Sequence, residues 1–317
     1  ADGRILLIET DDGAAIVRQH DKEATPVSTL MGETVSTLRW SPTSPTLVGL
    51  AVDTEEVRFY DFDTDAETIV SAPGLRRDRP VWSPDGARVA FRTLEDPSAP
   101  VEEHLATLWL ASPDGGEPRK LVQHETSSGV VGFAPDGTQI AYHDDGIRIV
   151  DLNTLEVRSL DTNGVARDLV WSPTGPQIMW ANLNHCGMVS AVDGETDRFI
   201  SFTIGEATWS SSGRWSTCYG NPVGHTCGKN WDCALVYVFD TVAAQGRNYP
   251  RVREIDWASA EDIAAVSRDR FTGWDDTSVA LPWRVGILDP DSGEVTELGD
   301  LDPDALFSDS GIRWRRG

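Results

Sequence analysis

Seven times along this chain an aromatic residue opens a short Ser/Pro/Asp/Gly turn that runs into a strand-like stretch. The aromatics are Trp40, Trp82, Phe133, Trp171, Trp209, Trp257 and Phe307, spaced 38 to 51 residues apart. The clearest copies read W-S-P-D-G (Trp82 to Gly86) and F-A-P-D-G (Phe133 to Gly137). A repeat of this length built from short strands predicts a β-propeller, one blade per repeat.

Each repeat also carries a hairpin signal, two runs of β-branched and aromatic residues around an Asp/Gly-rich turn. Examples are Val57 to Val70, Ile147 to Leu160 and Arg284 to Leu298. A blade therefore reads as strand A, aromatic turn, strand B, longer connection, strand C, Asp-rich turn, strand D. The C-terminal stretch, Ala305 to Arg315, supplies only A and B, and the N-terminal stretch, Arg4 to Gln19, supplies only C and D. Together they complete one blade. The expectation is a single domain over residues 1–317: a seven-bladed propeller of four antiparallel strands per blade, closed by the terminal strands.

The net charge of −24 disfavours nucleic acid or an anionic membrane as partner, since both require a basic footprint. No apolar run approaches a membrane span, so contact with a membrane would come only through a tether removed from this chain. All four cysteines, Cys186, Cys218, Cys227 and Cys233, fall within 48 residues, which points to disulfides in an oxidising compartment. Zinc is the competing reading, with His185 and His225 beside them. The expected pairing is Cys218–Cys233 with Cys186–Cys227.

The motif W-S-P-D-G-x-x-[VI]-A, at Trp82 to Ala90 and with Phe at Phe133 to Ala141, resembles the repeats of TolB-like, WD-repeat-like propellers. The resemblance spans essentially the whole chain. It implies an extracytoplasmic binding module more often than a catalyst. The turn itself is structural: Pro sets φ, Asp bonds locally and Gly accepts positive φ.

Two groups of residues are candidates for function. Long B–C connections (Leu94 to Ala106, Gly220 to Asp232, Arg270 to Pro282) carry His104, His225, Trp231, Asp232, Trp274 and Asp275, with Trp283 at the base of the last. Aromatics beside polar groups suit a protein or carbohydrate surface. The A–B and C–D turns are nearly all tight, with one longer exception near Val242 to Arg247.

The second group lies three residues before each aromatic, where Asp168, Glu206, Glu254 and Asp304 stand with Arg79. The residues two before it are apolar, so strand A alternates a packing side with a polar side. Four carboxylates at one depth of a channel repel each other unless a cation or arginine neutralises them. Ca²⁺ is the natural metal for such oxygen ligands, and pairing with Arg39, Arg79, Arg167 or Arg253 is the structural alternative.

The Asp61-x-Asp63-x-Asp65 run lacks the Gly and Glu of a calcium loop and reads as turn chemistry. Of six histidines, only His104, His185 and His225 fall on the elaborated face; His124 is placed near the end of a D strand. The preferred function is a non-catalytic, monomeric, extracytoplasmic recognition or sensor module for a protein or small ligand. The alternative is a metal-dependent polysaccharide lyase or hydrolase using the same face.

Overall fold

Runs of Val, Ile, Leu and aromatic residues broken by Asp, Gly, Ser and Pro are what antiparallel hairpins require. A computed structural model of the chain shows them as strands. It describes residues 5–10, 13–18, 25–31, 35–75, 79–96, 105–124, 131–144, 146–160, 166, 168–181, 185–201, 207–220, 235–250, 252–257, 263–268 and 283–301.

The first sheet has three strands, β1 (Ile5–Thr10), β2 (Gly13–Arg18) and β3 (Thr25–Pro26), followed by the five-residue helix α1 (Val27–Met31). Six four-stranded antiparallel sheets follow, each of four consecutive strands. They are β4 (Val35–Trp40), β5 (Thr46–Ala51), β6 (Glu56–Asp61) and β7 (Ala66–Ser71); then β8 (Val81–Trp82), β9 (Val89–Leu94), β10 (Ala106–Ala111) and β11 (Arg119–His124). Next come β12 (Val131–Phe133), β13 (Gln139–His143), β14 (Ile147–Asp151) and β15 (Val157–Leu160); then β16 (Asp168–Trp171), β17 (Gln177–Ala181), β18 (His185–Ser190) and β19 (Thr196–Ser201). The last two are β20 (Ala207–Trp209), β21 (Trp215–Gly220), β22 (Leu235–Asp240) and β23 (Gln245–Pro250); and β24 (Val252–Trp257), β25 (Ile263–Arg268), β26 (Trp283–Leu288) and β27 (Val295–Leu301).

Six of the seven repeat aromatics are described, and each ends the first strand of a four-stranded sheet. Phe307 and the expected C-terminal A–B pair lie outside the described residues. The N-terminal hairpin forms as expected, with Ile5 opposite Arg18 and Thr10 opposite Gly13. β3 and α1 are additions that the repeat pattern did not signal.

The chain separates into two compact units, Ala1–Trp171 with Ala191–Gly194, and Ser172–Ser190 with Glu195–Gly317. In unit 1 the second strand of a sheet is buried on both faces, as in β5 and β9, while β7 and β15 at the fourth position are largely exposed. A second strand thus lacks the in–out alternation of a half-buried one, and in β9 the burial takes in Arg92 and Thr93.

Adjacent sheets of unit 1 pack face to face. Val48, Leu50, Val57 and Phe59 meet Trp82, Val89 and Phe91. Ala90, Leu108 and Leu121 meet Val131, Phe133, Ile140 and Tyr142. On the other side of the β4–β7 sheet, Val27 and Met31 of α1 pack on Leu38, Leu47 and Tyr60.

The apolar partners expected beside the polar positions of strand A are buried where described: Leu38, Pro80, Val131, Leu169 and Ala207.

Candidate functional site

The two ends of the sheets differ in chemistry. At one end lie the aromatic turns and the Asp turns, and their polar groups are used internally. In the W-S-P-D-G turn the Ser83 hydroxyl donates to Asp85, whose carboxylate also accepts from the Ala87 N–H at 3.0 Å. Those bonds hold the Asp85 carboxyl below the usual range, Ser83 first and Ala87 second.

Gly86, Gly137 and Gly213 at the fifth turn position have φ of 69°, 68° and 71°. A Cβ on Gly86 would also strike the Thr43 hydroxyl of the preceding turn. That close approach lets Thr43 donate to the Asp85 carbonyl at 3.1 Å, and Thr174 repeats the bond to Ser212 at 3.3 Å.

The Asp turns follow one rule. Asp61, Asp151, Asp240 and Asp289 each accept from the backbone N–H groups two and three residues on. The Asp61-x-Asp63-x-Asp65 run is therefore turn chemistry, as its missing Gly and Glu indicate. The turn after Asp240 is no exception: β23 begins at Gln245, because Ala244 takes the left-handed conformation (φ 52°) that Gly supplies elsewhere. Arg214 adds bonds to Asp240 at 2.9 Å and Asp291 at 2.8 Å and lies over the Trp215 ring.

At the opposite end, the strands lead into the long connections. In unit 1 this end buries a polar group between the β8–β11 and β12–β15 sheets. His124 faces across to Tyr142, and the charges of Arg92, Asp144 and Arg148 act on the imidazole there. Arg92 is 2% exposed and His124 3%. The His124 and Tyr142 rings lie 5.2 Å apart.

Neither ring nitrogen of His124 has a hydrogen-bonding partner among the described residues. Burial, and then the Arg92 charge, lower its pKa to about 4, against the pull of Asp144. Burial likewise pushes the Tyr142 phenol up to about 12. Arg148 lies 2.9 Å from the Asp144 carboxylate and donates to the Ser159 hydroxyl at 3.1 Å.

His124 ends the fourth strand of its sheet, the D-strand end expected for it, while the repeat pattern gives this group no role. Counting from the repeat aromatics shows that Arg92 and His143 each stand ten residues on, in a strand where the first repeat has Leu50. Charge or imidazole in a doubly buried strand was the available signal.

Of the predicted channel residues, Asp168 opens β16, half-buried, and its carboxylate accepts from the Leu169 N–H at 3.0 Å. Arg79 is exposed and precedes β8. Glu254 falls at a register shift in β24. Glu206 and Asp304 lie outside the described residues, as do His104, His225, Trp231, Asp232, Trp274 and Asp275; Trp283 begins β26. Among the described residues no group of three or more His, Cys, Asp or Glu side chains is placed to hold a metal.

The cysteines pair differently from expectation. Cys186 on β18 is bonded to Cys218 on β21, with Cα atoms 6.7 Å apart, replacing the expected Cys218–Cys233 and Cys186–Cys227. Cys227 and Cys233 lie outside the described residues. The reason is register. Cys186 pairs across with Ala181, ten residues past Trp171, and Cys218 stands nine past Trp209. In unit 1 the equivalent places are filled by Val57 facing Phe91 and by Leu108 facing Tyr142, both core contacts. The disulfide is thus a covalent version of a contact that the repeat makes anyway.

No family model matches the sequence, and no curated protein matches it. Solved structures do. The tricorn protease aligns over 94% of this chain and 35% of its own, at 12% identity and a TM-score of 0.56. A puromycin hydrolase complexed with PGG aligns over 94% of this chain and 52% of its own, at 13% identity and 0.56. A chain of the Mitotic Checkpoint Complex aligns over 84% of this chain and 80% of its own, at 11% identity and 0.55. This chain therefore spans about a third of the first and about half of the second. At such identities the likeness bears on fold alone. The fold is the propeller type that the W-S-P-D-G turns resemble, that of TolB-like and WD-repeat proteins.

Proposed function

We propose that the chain is a non-catalytic propeller module that recognises a protein partner through the end carrying its long connections, outside the cytoplasm. One observation carries this reading: the two ends of the sheets are chemically unequal. The turn end engages its Asp, Ser and Thr groups in repeated internal bonds. The other end receives the connections at 95–105, 221–234 and 269–282, which hold His104, His225, Trp231, Asp232, Trp274 and Asp275. Recognition on repeat scaffolds is placed on such elaborated loops.

Six sheets with the repeat aromatic in one place, and an N-terminal hairpin alone, support a seventh blade completed by residues 305–315. In that arrangement Asp168, Glu206, Glu254 and Asp304 line the channel with Arg79, a place for a cationic ligand group such as Ca²⁺. The Cys186–Cys218 bond supports an oxidising compartment.

The test compares two variants as immobilised baits. Trp231→Ala with Trp274→Ala alters the loop end, and Asp151→Asn alters the turn end. A partner identified with the native chain is expected to be lost by the first and kept by the second. Retention by the loop-end variant, or metal-dependent cleavage of a polysaccharide by the native chain, overturns the proposal.

A further inference from the structure

The interface between the β8–β11 and β12–β15 sheets lacks a tie that its neighbours in unit 1 possess. Trp82 sends its indole N–H to the Arg39 carbonyl of the preceding sheet at 3.1 Å, and Trp171 sends its own to Gly132 at 2.9 Å. The equivalent residue here is Phe133, which has no such donor. The same interface also buries charge at its loop end, where a core contact would otherwise continue.

Among the described residues, the groups around His124 come from both sheets. Arg92 faces it from β9, Tyr142 and His143 lie on β13, and Asp144 and Arg148 follow. Glu95 bonds Gln123, whose side chain leaves the other face of β11. Among the described residues whose charge acts on His124 the acid is Asp144, which Arg148 engages at 2.9 Å.

We propose that His124 is an acid switch: proton uptake there places a further positive charge beside Arg92 and Arg148 and loosens this interface at its loop end. The strands that would separate, β9 and β11, lead directly into the connections at 95–105 and 125–130. The inference stands whether or not that end binds a partner.

The sign follows from linkage. In the open interface His124 titrates near its ordinary value of 6.5, and in the closed one near 4. The closed form binds fewer protons, so its stability is complete above pH 6.5 and is lost as pH falls toward 4. Between pH 7.5 and pH 5 the population of the open form is expected to rise roughly 30-fold.

The experiment is amide hydrogen exchange on the intact chain, corrected for the intrinsic pH dependence, at pH 7.5 and pH 5. Peptides over β9, β11 and β13 are expected to exchange roughly 30-fold faster through opening at pH 5, while β20 and β21 do not. His124→Phe is expected to remove that difference, and Phe133→Trp, which supplies the missing indole donor, to reduce it. Imidazole C2 exchange read by mass spectrometry on the native chain gives the His124 titration without any variant. Titration near 6.5 in the folded protein, or an acid response unchanged in His124→Phe, overturns the proposal.

Discussion

Leu155 holds a left-handed backbone (φ 61°) in the turn between β14 and β15, with its side chain 40% exposed. Gly293 takes the same place after Asp289, with the matching bond from its N–H to the Asp carbonyl: 2.9 Å at Leu155 and 2.8 Å at Gly293. A left-handed residue with a Cβ costs about 1–2 kcal/mol, partly offset by the greater freedom that Gly brings to the unfolded chain. Leu155→Gly is therefore expected to stabilise the protein by about 0.5–1 kcal/mol, read as a higher urea midpoint at unchanged slope. An unchanged or lower midpoint contradicts the argument. Asp151 and Asp289 were legible as turn residues because their side chains bond locally. Leu155 and Ala244 were not, because nothing in Leu or Ala marks positive φ, and the turn near Val242 was misjudged for that reason.

At the scale of the strand, β21 departs from its equivalents. The second strands of other sheets carry Val89-Ala90-Phe91, Ile140-Ala141-Tyr142 and Ile178-Met179-Trp180, where β21 has Ser216-Thr217-Cys218. Ser216 and Thr217 are fully buried, and neither hydroxyl has a partner among the described residues. Thr217→Val keeps the shape and removes an unpaired polar group, so a gain of about 1–2 kcal/mol is expected in thermal or urea unfolding. A loss would show that the hydroxyl is satisfied.

The disulfide lies in this same strand and offsets its thin apolar core. Closing a separation of 32 residues contributes roughly 3–4 kcal/mol in the chain-entropy account. A non-reducing peptide map is expected to show Cys186 linked to Cys218, and Cys186→Ala with Cys218→Ala to lower the melting temperature. A Cys218–Cys233 link would refute the register argument. Half of the bond was readable in the sequence: Cys218 stands nine residues past Trp209, the offset of Phe91 and Tyr142 in their repeats, whereas Cys186 reaches its place only through its pairing with Ala181.

For the molecule as a whole, the repeat made the architecture legible because each four-stranded sheet ends its first strand on a repeat aromatic and continues into antiparallel strands in chain order. The loop-end site was far less so: His124 and Arg92 are remote in sequence and meet only once two sheets pack. α1 and β3 carry no repeat signal, and α1 is fixed by a bond from Arg58 to the Met31 carbonyl at 2.6 Å. If the terminal strands complete one blade, deleting residues 4–19 exposes apolar strand faces, and loss of cooperative unfolding or aggregation is expected. An unchanged melting curve rules closure out.

The Cys186–Cys218 bond has a further, mechanical consequence. It makes residues 186–218 a covalent ring, so a chain pulled through a narrow pore presents two strands there instead of one. Passage in single file across a membrane has to precede oxidation, and an unfoldase that threads one strand at a time stalls at this point until the bond is reduced. The other sheet contacts, held by packing and hydrogen bonds, give way under the same load.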